Sequence, residues 1–270
     1  MQLGAGQVAF VTGGASGIGL ALCHELARRG VSVIAADIEA VALERAVAEL
    51  GDAGHEALGV ECDVTSMDSM TAAADEAFAW KGSVDVLANN AGVVAFGDAF
   101  SSLDDWEWVI DVDLWGVVHG LHAFVPRMRE SGRPGHIVNT ASTAGIFGFP
   151  NIASYVAAKH AVVGLSQSIW HELAPTALGA SVLCPGVVST NINTSERNRP
   201  GTEPGSVELQ DDFGENYQET LSAAEVAIMV CDAIEADRFW ILPQEHYAEQ
   251  ALAIGEGRLD GSPPVMPRIR

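Results

Sequence analysis

The chain has 270 residues, 48% of them hydrophobic and 19% charged, with 28 glycines, which excludes a disordered tail or a disulfide-stapled miniprotein and supplies a core without metals. Acidic residues outnumber basic ones 36 to 14, a formal charge of −22, which repels phosphate backbones and anionic lipid and so argues against nucleic-acid and membrane partners. Cys23, Cys62, Cys184 and Cys231 lie far apart with no CxxC pair, so no zinc ribbon or redox couple is read and reduced thiols in a cytoplasm are expected.

The start lacks a basic leader, and no apolar stretch of the roughly 18 residues that span a bilayer is read. Val8 to Thr12 is a nearly continuous apolar run and predicts a strand buried on both faces. It empties into Thr12-Gly13-Gly14-Ala15-Ser16-Gly17-Ile18-Gly19, followed by helical spacing from Ile18 to Arg29. Glycines there permit a tight turn and let a pyrophosphate approach the bare N–H groups and positive dipole end of a helix. The plainer reading is a tight strand-to-helix turn. Val31 to Asp37 predicts a second strand, ending in a carboxylate eighteen residues past Gly19. That carboxylate suits adenosine ribose hydroxyls and repels a 2′-phosphate, favouring NAD over NADP, unless Asp37 only caps the next helix.

Helical spacing returns at Val41 to Leu50, and further strands are predicted at Leu58 to Val64, Val84 to Asn89, His136 to Ala141, Ser181 to Cys184 and Phe239 to Leu242. Strand and helix alternate throughout, which predicts an α/β, doubly wound, Rossmann-like parallel sheet of about seven strands with helices on both faces. Ligands of such sheets sit at the carboxyl ends of the strands. Residues 1–254 are expected to form a single domain, with a substrate lid at about 186–220 and a proline-rich tail at 255–270.

Ala153 to Leu173 reads as a helix on which Tyr155 and Lys159 stand four apart, on one face. A tyrosine of ordinary pKa about 10 is a poor base at neutral pH, and a neighbouring ammonium favours its phenolate. Ser142 follows the His136 to Ala141 strand, where a hydroxyl can bind a reacting oxygen, although a serine there is commonly a turn or cap residue.

From about Gln7 to Pro243 these residues resemble the short-chain dehydrogenase/reductases. The segment 12–19 matches the TGxxxGxG loop of that family, Asn89-Asn90-Ala91-Gly92 its NNAG segment, Ser142, Tyr155 and Lys159 its catalytic set, and residues 185–190 its PGxxxT. The resemblance implies that Gly13, Ser16, Gly17, Ile18, Gly19 and Asp37 bind an NAD cofactor and that Asp63 and Val64 contact adenine. It implies that Asn90, Ala91 and Gly92 line the cleft with Tyr155 and Lys159, and that Pro185, Gly186, Val188 and Thr190 hold the nicotinamide end. Family members are commonly tetramers, here through helices near Asp104 to Met128 and Ile152 to Ala174.

One position departs from the family. Where an asparagine is usual, the segment Val112 to Gly116 carries Asp113. The family residue helps anchor a water on the catalytic lysine, largely through its backbone carbonyl, so Asp113 is expected to keep the relay. Its carboxylate favours the Lys159 ammonium and disfavours a Tyr155 phenolate, opposing effects whose balance spacing leaves open.

A finer similarity, in segments around 124–138 and 191–200, points to bacterial members that oxidise benzylic Cα alcohols of lignin-derived aryl ethers. Val94, Phe96, Ile146, Phe147 and Phe149 are the candidate walls of a hydrophobic substrate pocket, against the alternative of ordinary core packing. No metal site is read: Asp111, Asp113, His119 and His122 point around more than one face of a helix. Arg197 and Arg199 either meet a substrate carboxylate or, more simply, neutralise lid acids. The expected activity is NAD-dependent interconversion of a hydrophobic secondary alcohol and its ketone. The alternatives are an NADPH-dependent acyl or polyketide reductase and a non-catalytic NAD(H) sensor or scaffold.

Overall fold

A computed structural model of the chain describes residues 1–100, 102–202, 220–260, 263, 264 and 267. In chain order the first half runs β1 (Val8–Thr12), α1 (Gly17–Arg28), β2 (Ser32–Asp37), α2 (Ala40–Asp52), β3 (Ala57–Glu61), α3 (Met67–Lys81), β4 (Val86–Asn89) and α4 (Leu103–Ile110). The second half runs α5 (Gly116–Ser131), β5 (Gly135–Thr140), α6 (Ala153–Leu173), β6 (Leu178–Leu183), β7 (Val188–Ser189), β8 (Leu221–Ser222), α7 (Ala223–Glu235), β9 (Trp240–Ile241) and α8 (His246–Asp260).

Seven strands form one sheet in the order β3-β2-β1-β4-β5-β6-β9, every neighbouring pair parallel. The pleat sorts the apolar runs between two layers: Ala9 and Val11 of β1 face a cluster with α1, α2 and α7, while Val8 and Phe10 face one with α3, α5 and α6. This is why the strands read as unbroken apolar runs. Phe10 and Phe124 close the second layer with ring centroids 4.4 Å apart. The seven predicted strands are all present. A two-residue pair, β7 with β8, had no sequence signal because two residues carry no period.

Between α4 and α5 one turn, Asp111–Trp115, is a π turn, so the stretch Leu103–Ser131 is a continuous rod with one widened turn. By length and hydropathy, 1.2 over its best window, this rod would suffice to cross a bilayer, contrary to the expectation that no stretch of spanning length is present. Half of that window is buried, against α3, β4 and α6. At the C-terminus, α8 runs through residue 255 to Asp260, beyond the point where the tail was drawn.

Candidate active site at the carboxyl ends of the strands

All strands of a parallel sheet end on one edge, and the chain order reverses between β1 and β4, so a crevice opens there. It is a cavity of about 780 Å³. The turn after β1 forms one rim. Gly13 and Gly17 take φ of +64° and +53°, which side chains rarely adopt, and a Cβ on Gly19 would overlap the Gly13 carbonyl. Gly13, Ser16, Gly17 and Ile18 line the cavity, with Gly19 behind them. Ser16 makes no side-chain cap, so it leaves the first N–H groups of α1 without that acceptor.

Asp37 ends β2 and lines the cavity. Its carboxylate accepts the Ala15 and Glu39 N–H groups, each at 3.0 Å. Burial pushes its pKa above the ordinary value and these N–H groups pull it back. Asp63 and Val64 after β3, and Asn90, Ala91 and Gly92 after β4, lie on the same wall. Thr12 Oγ1 ties β1 to β4 by accepting the N–H groups of Asn90 at 2.9 Å and Ala91 at 3.1 Å. Pro185, Gly186, Val188 and Thr190 also line it, with Thr190 against Gly17.

Ser142, Tyr155 and Lys159 come together on this cavity from two elements. Lys159 Nζ sits 5.4 Å from the Tyr155 ring centroid and donates to the Thr140 carbonyl at 3.1 Å. Burial pushes the Tyr155 phenol above its ordinary pKa; Lys159 and a Ser142 hydrogen bond pull it down, and Asp113 pushes it up. Burial works against the Lys159 ammonium, yet Asp113 and then Tyr155 outweigh it, so its pKa rises.

Asp113 makes a direct side-chain contact with the lysine. It lies behind Lys159 and outside the cavity lining, fully buried in the π turn. Its Oδ1 accepts the Val93 N–H at 2.8 Å, and its Oδ2 lies 3.1 Å from Lys159 Nζ. The side chain itself meets the lysine. The widened turn lets the carboxylate point inward toward α6.

Of the expected pocket residues, Val94, Phe96 and Phe149 line the cavity, and Ile146 and Phe147 do not. The Thr143–Gly145 turn packs directly on α6, where a Cβ on Gly145 would meet the Lys159 carbonyl at 2.6 Å, and so drives the next two side chains inward. Phe147 is buried with its ring 5.8 Å from Tyr247, and Ile146 packs beside Val117 and Val162. Trp108, Ile152, Ile192 and Tyr247 supply apolar wall instead. Nothing in their spacing separates them from core residues, except that Tyr247 is one of only 3 tyrosines.

The part of the expected lid at 203–219 lies outside the described residues; 186–202 is described. Ile192–Asn198 forms a 3₁₀ strap over the cavity. Ser195 Oγ accepts the Val94 N–H at 2.9 Å, and Glu39 Oε1 accepts Arg197 at 2.7 Å and Asn198 at 3.0 Å. Arg199 pairs with Asp105 at 2.6 Å and with the strap's own Glu196 at 3.8 Å. Both arginines therefore pair with acids, but the close partners, Glu39 and Asp105, lie outside the expected lid, and only Glu196 is a lid acid. Behind the strap, Gln244 accepts the Gly186 N–H at 2.9 Å and donates to the Val187 carbonyl at 3.0 Å, a clamp that had no signal in the sequence.

The chain is similar to known proteins over most of its length. The chain is 37% identical over 251 residues to a Cα-dehydrogenase of Sphingobium sp., covering 90% of this chain and 82% of that protein. It is 40% identical over 239 residues to a 1-deoxy-11-beta-hydroxypentalenate dehydrogenase of Streptomyces avermitilis, covering 86% and 83%. A crystal structure of a short chain dehydrogenase/reductase from Burkholderia phymatum in complex with NAD superposes with a TM-score of 0.91 at 34% identity over the whole of both chains. Residues 7–201 match the short chain dehydrogenase family. The chain belongs to that family of alcohol-acting oxidoreductases.

Proposed function

We propose that this chain is an NAD-dependent dehydrogenase that interconverts a hydrophobic secondary alcohol and its ketone. The observation that carries this is that Ser142, Tyr155 and Lys159 share one cavity with the glycine-lined N-terminus of α1. The glycines suit a dinucleotide: Gly13, Ser16, Gly17 and Ile18 would hold the pyrophosphate, with Gly19 leaving room for the turn. Asp37 would take the ribose hydroxyls and repel a 2′-phosphate. Asp63 and Val64 would face adenine, Asn90, Ala91 and Gly92 the middle of the cleft, and Pro185, Gly186, Val188 and Thr190 the nicotinamide end. When bound, the nicotinamide supplies the hydride acceptor.

The chain's own residues manage the proton. Tyr155 Oη takes the hydroxyl proton of the alcohol, and returns one to the ketone oxygen in the reverse direction. The Ser142 hydroxyl donates to the oxygen on which charge develops, and the Lys159 ammonium favours the phenolate. Val94, Phe96, Trp108, Phe149, Ile152 and Ile192 give the substrate end an apolar wall. That wall, and the similarity to a Cα-dehydrogenase, make a benzylic carbinol the first candidate. The same reading makes the chain a cytoplasmic homo-oligomer of two or four copies, with a mass readable by light scattering.

The test is NADH formation by the purified protein across benzylic, alicyclic, steroidal and aliphatic secondary alcohols, with NAD and NADP in parallel. Turnover with NAD is expected, and Tyr155→Phe is expected to lower kcat by about 10² to 10⁴ while NADH still quenches protein fluorescence. Normal turnover in Tyr155→Phe, or a strong NADP preference, would overturn the assignment.

A further inference from the structure

We propose that Asp113 is a positioning residue that ion-pairs directly with Lys159 and draws off part of its ammonium charge, so that Tyr155 ionises at higher pH than it would beside a neutral amide at this position. The proposal rests on Tyr155 being the base of the reaction. It stands on three observations. Asp113 is fully buried and Lys159 nearly so, and their charged atoms are 3.1 Å apart. The Val93 N–H at 2.8 Å holds the carboxylate in that orientation. Gly92 closes over the pair: a Cβ there would lie 3.3 Å from Lys159 Nζ and 3.6 Å from both carboxylate oxygens, so nothing bulkier screens one charge from the other.

Charge counting gives the sign. With Asp113 and Lys159 both ionised, the cluster is neutral until Tyr155 loses its proton, and then carries one net negative charge at a largely buried site. With an amide at 113 the same cluster would start positive and become neutral, the easier ionisation in a low-dielectric site. Tyr155 is faced by Lys159 on its own helix, Asp113 from the π turn, Ser142 after β5 and Cys184 after β6. Burial pushes the Cys184 thiol up to about 12, so it stays neutral at working pH, and Ser142 carries no charge. The remaining partners of the pair, the Thr140 carbonyl and the Val93 N–H, do not titrate. Among the described residues Asp113 is thus the charged group that opposes Lys159 at Tyr155, and its upward push on the phenol has this direction. Because Asp113 lies outside the cavity lining, it acts through Lys159 and not on substrate.

The oxidising direction needs the phenolate, so the acid limb of kcat/KM follows the Tyr155 ionisation. In Asp113→Asn this limb is expected to move down by about one pH unit. A second readout needs no substrate: in ultraviolet titration of the phenolate band, one tyrosine is expected to ionise earlier in Asp113→Asn, and Tyr155→Phe added to that variant removes it. Asp113→Ser, which keeps a hydroxyl for the Val93 N–H but no charge, is measured beside it and carries the test if the amide variant does not fold. A limb and a titration that stay in place, or that move to higher pH, overturn the proposal. Failure of the functional assignment looks different: wild-type protein would oxidise no alcohol, or Tyr155→Phe would turn over normally, and the tyrosine titration would still decide the role of Asp113.

Discussion

His136 shows how burial turns a single side chain into a pH-dependent element of the fold. It stands in β5 at 1% exposure, with Nε2 2.7 Å from Ser181 Oγ, while that hydroxyl donates onward to the Arg238 carbonyl at 2.7 Å. The network makes Nε2 the protonated nitrogen of a neutral ring. Burial pushes the imidazole down to about 4 from 6.5. Between those values the unfolded chain binds a proton that the folded chain refuses. The stability this supplies is complete above pH 6.5 and lost as pH falls through 4, roughly 3 kcal/mol in all. The expected outcome is a steep fall in Tm across this window, and a shallower one in His136→Gln; equal slopes would refute it. At this scale the sequence was legible where chemistry follows spacing. Tyr155 and Lys159 were evident from one helical turn, and Asp113 stood out as a mismatch, but its effect on Tyr155 needed the 3.1 Å distance to Lys159. Ile146 and Phe147 were misplaced because an apolar residue after a strand looks the same whether it faces a cavity or the core.

Among the elements, the loop after β6 depends on a residue far along the chain. Gln244 is 5% exposed and bonds both to the Gly186 N–H and to the Val187 carbonyl. Tyr247, the second residue of α8, fills the space that a Gly186 side chain would occupy. Removing the Gln244 amide leaves a buried donor and acceptor unmet, which costs about 1–3 kcal/mol. In Gln244→Ala the KM for NAD is therefore expected to rise roughly 5- to 100-fold, with kcat changed less and circular dichroism unchanged. An unchanged KM would show that the loop holds its shape alone. The seven strands of the large sheet and helices such as α1, α2 and α6 were readable from apolar runs and helical spacing because they pack against full layers, whereas α8 was drawn partly as tail. The π turn, the strap and β7 with β8 were not readable, since they span one turn or two residues and take their form from what they touch.

Across the whole molecule the excess of acid sets the conditions for stability. The formal charge is −22, and arginines are already shared among acids: Arg29 alone meets Glu25, Asp232 and Glu235. Repulsion among the remaining carboxylates opposes compaction, and salt shortens its range from about 30 Å at 0.01 M to about 8 Å at 0.15 M. Tm is expected to rise by a few degrees over that range, roughly the effect of 1 kcal/mol in a chain of this size. A fall in Tm with added salt would mean that the local ion pairs outweigh the net charge.

By itself the sequence determined the fold class, because strands covered on both faces must be apolar at nearly every position. It determined the glycine-rich turn after β1 as well, because glycine takes positive φ without strain and leaves room where another backbone closes in. Tertiary structure alone decided which charges meet and which aromatic rings face the cavity. Arg197 and Glu39 are 158 residues apart, and Asp113 reaches Lys159 only because a widened turn on one helix faces another. Such contacts are made by packing between elements, and no local period of the chain records them.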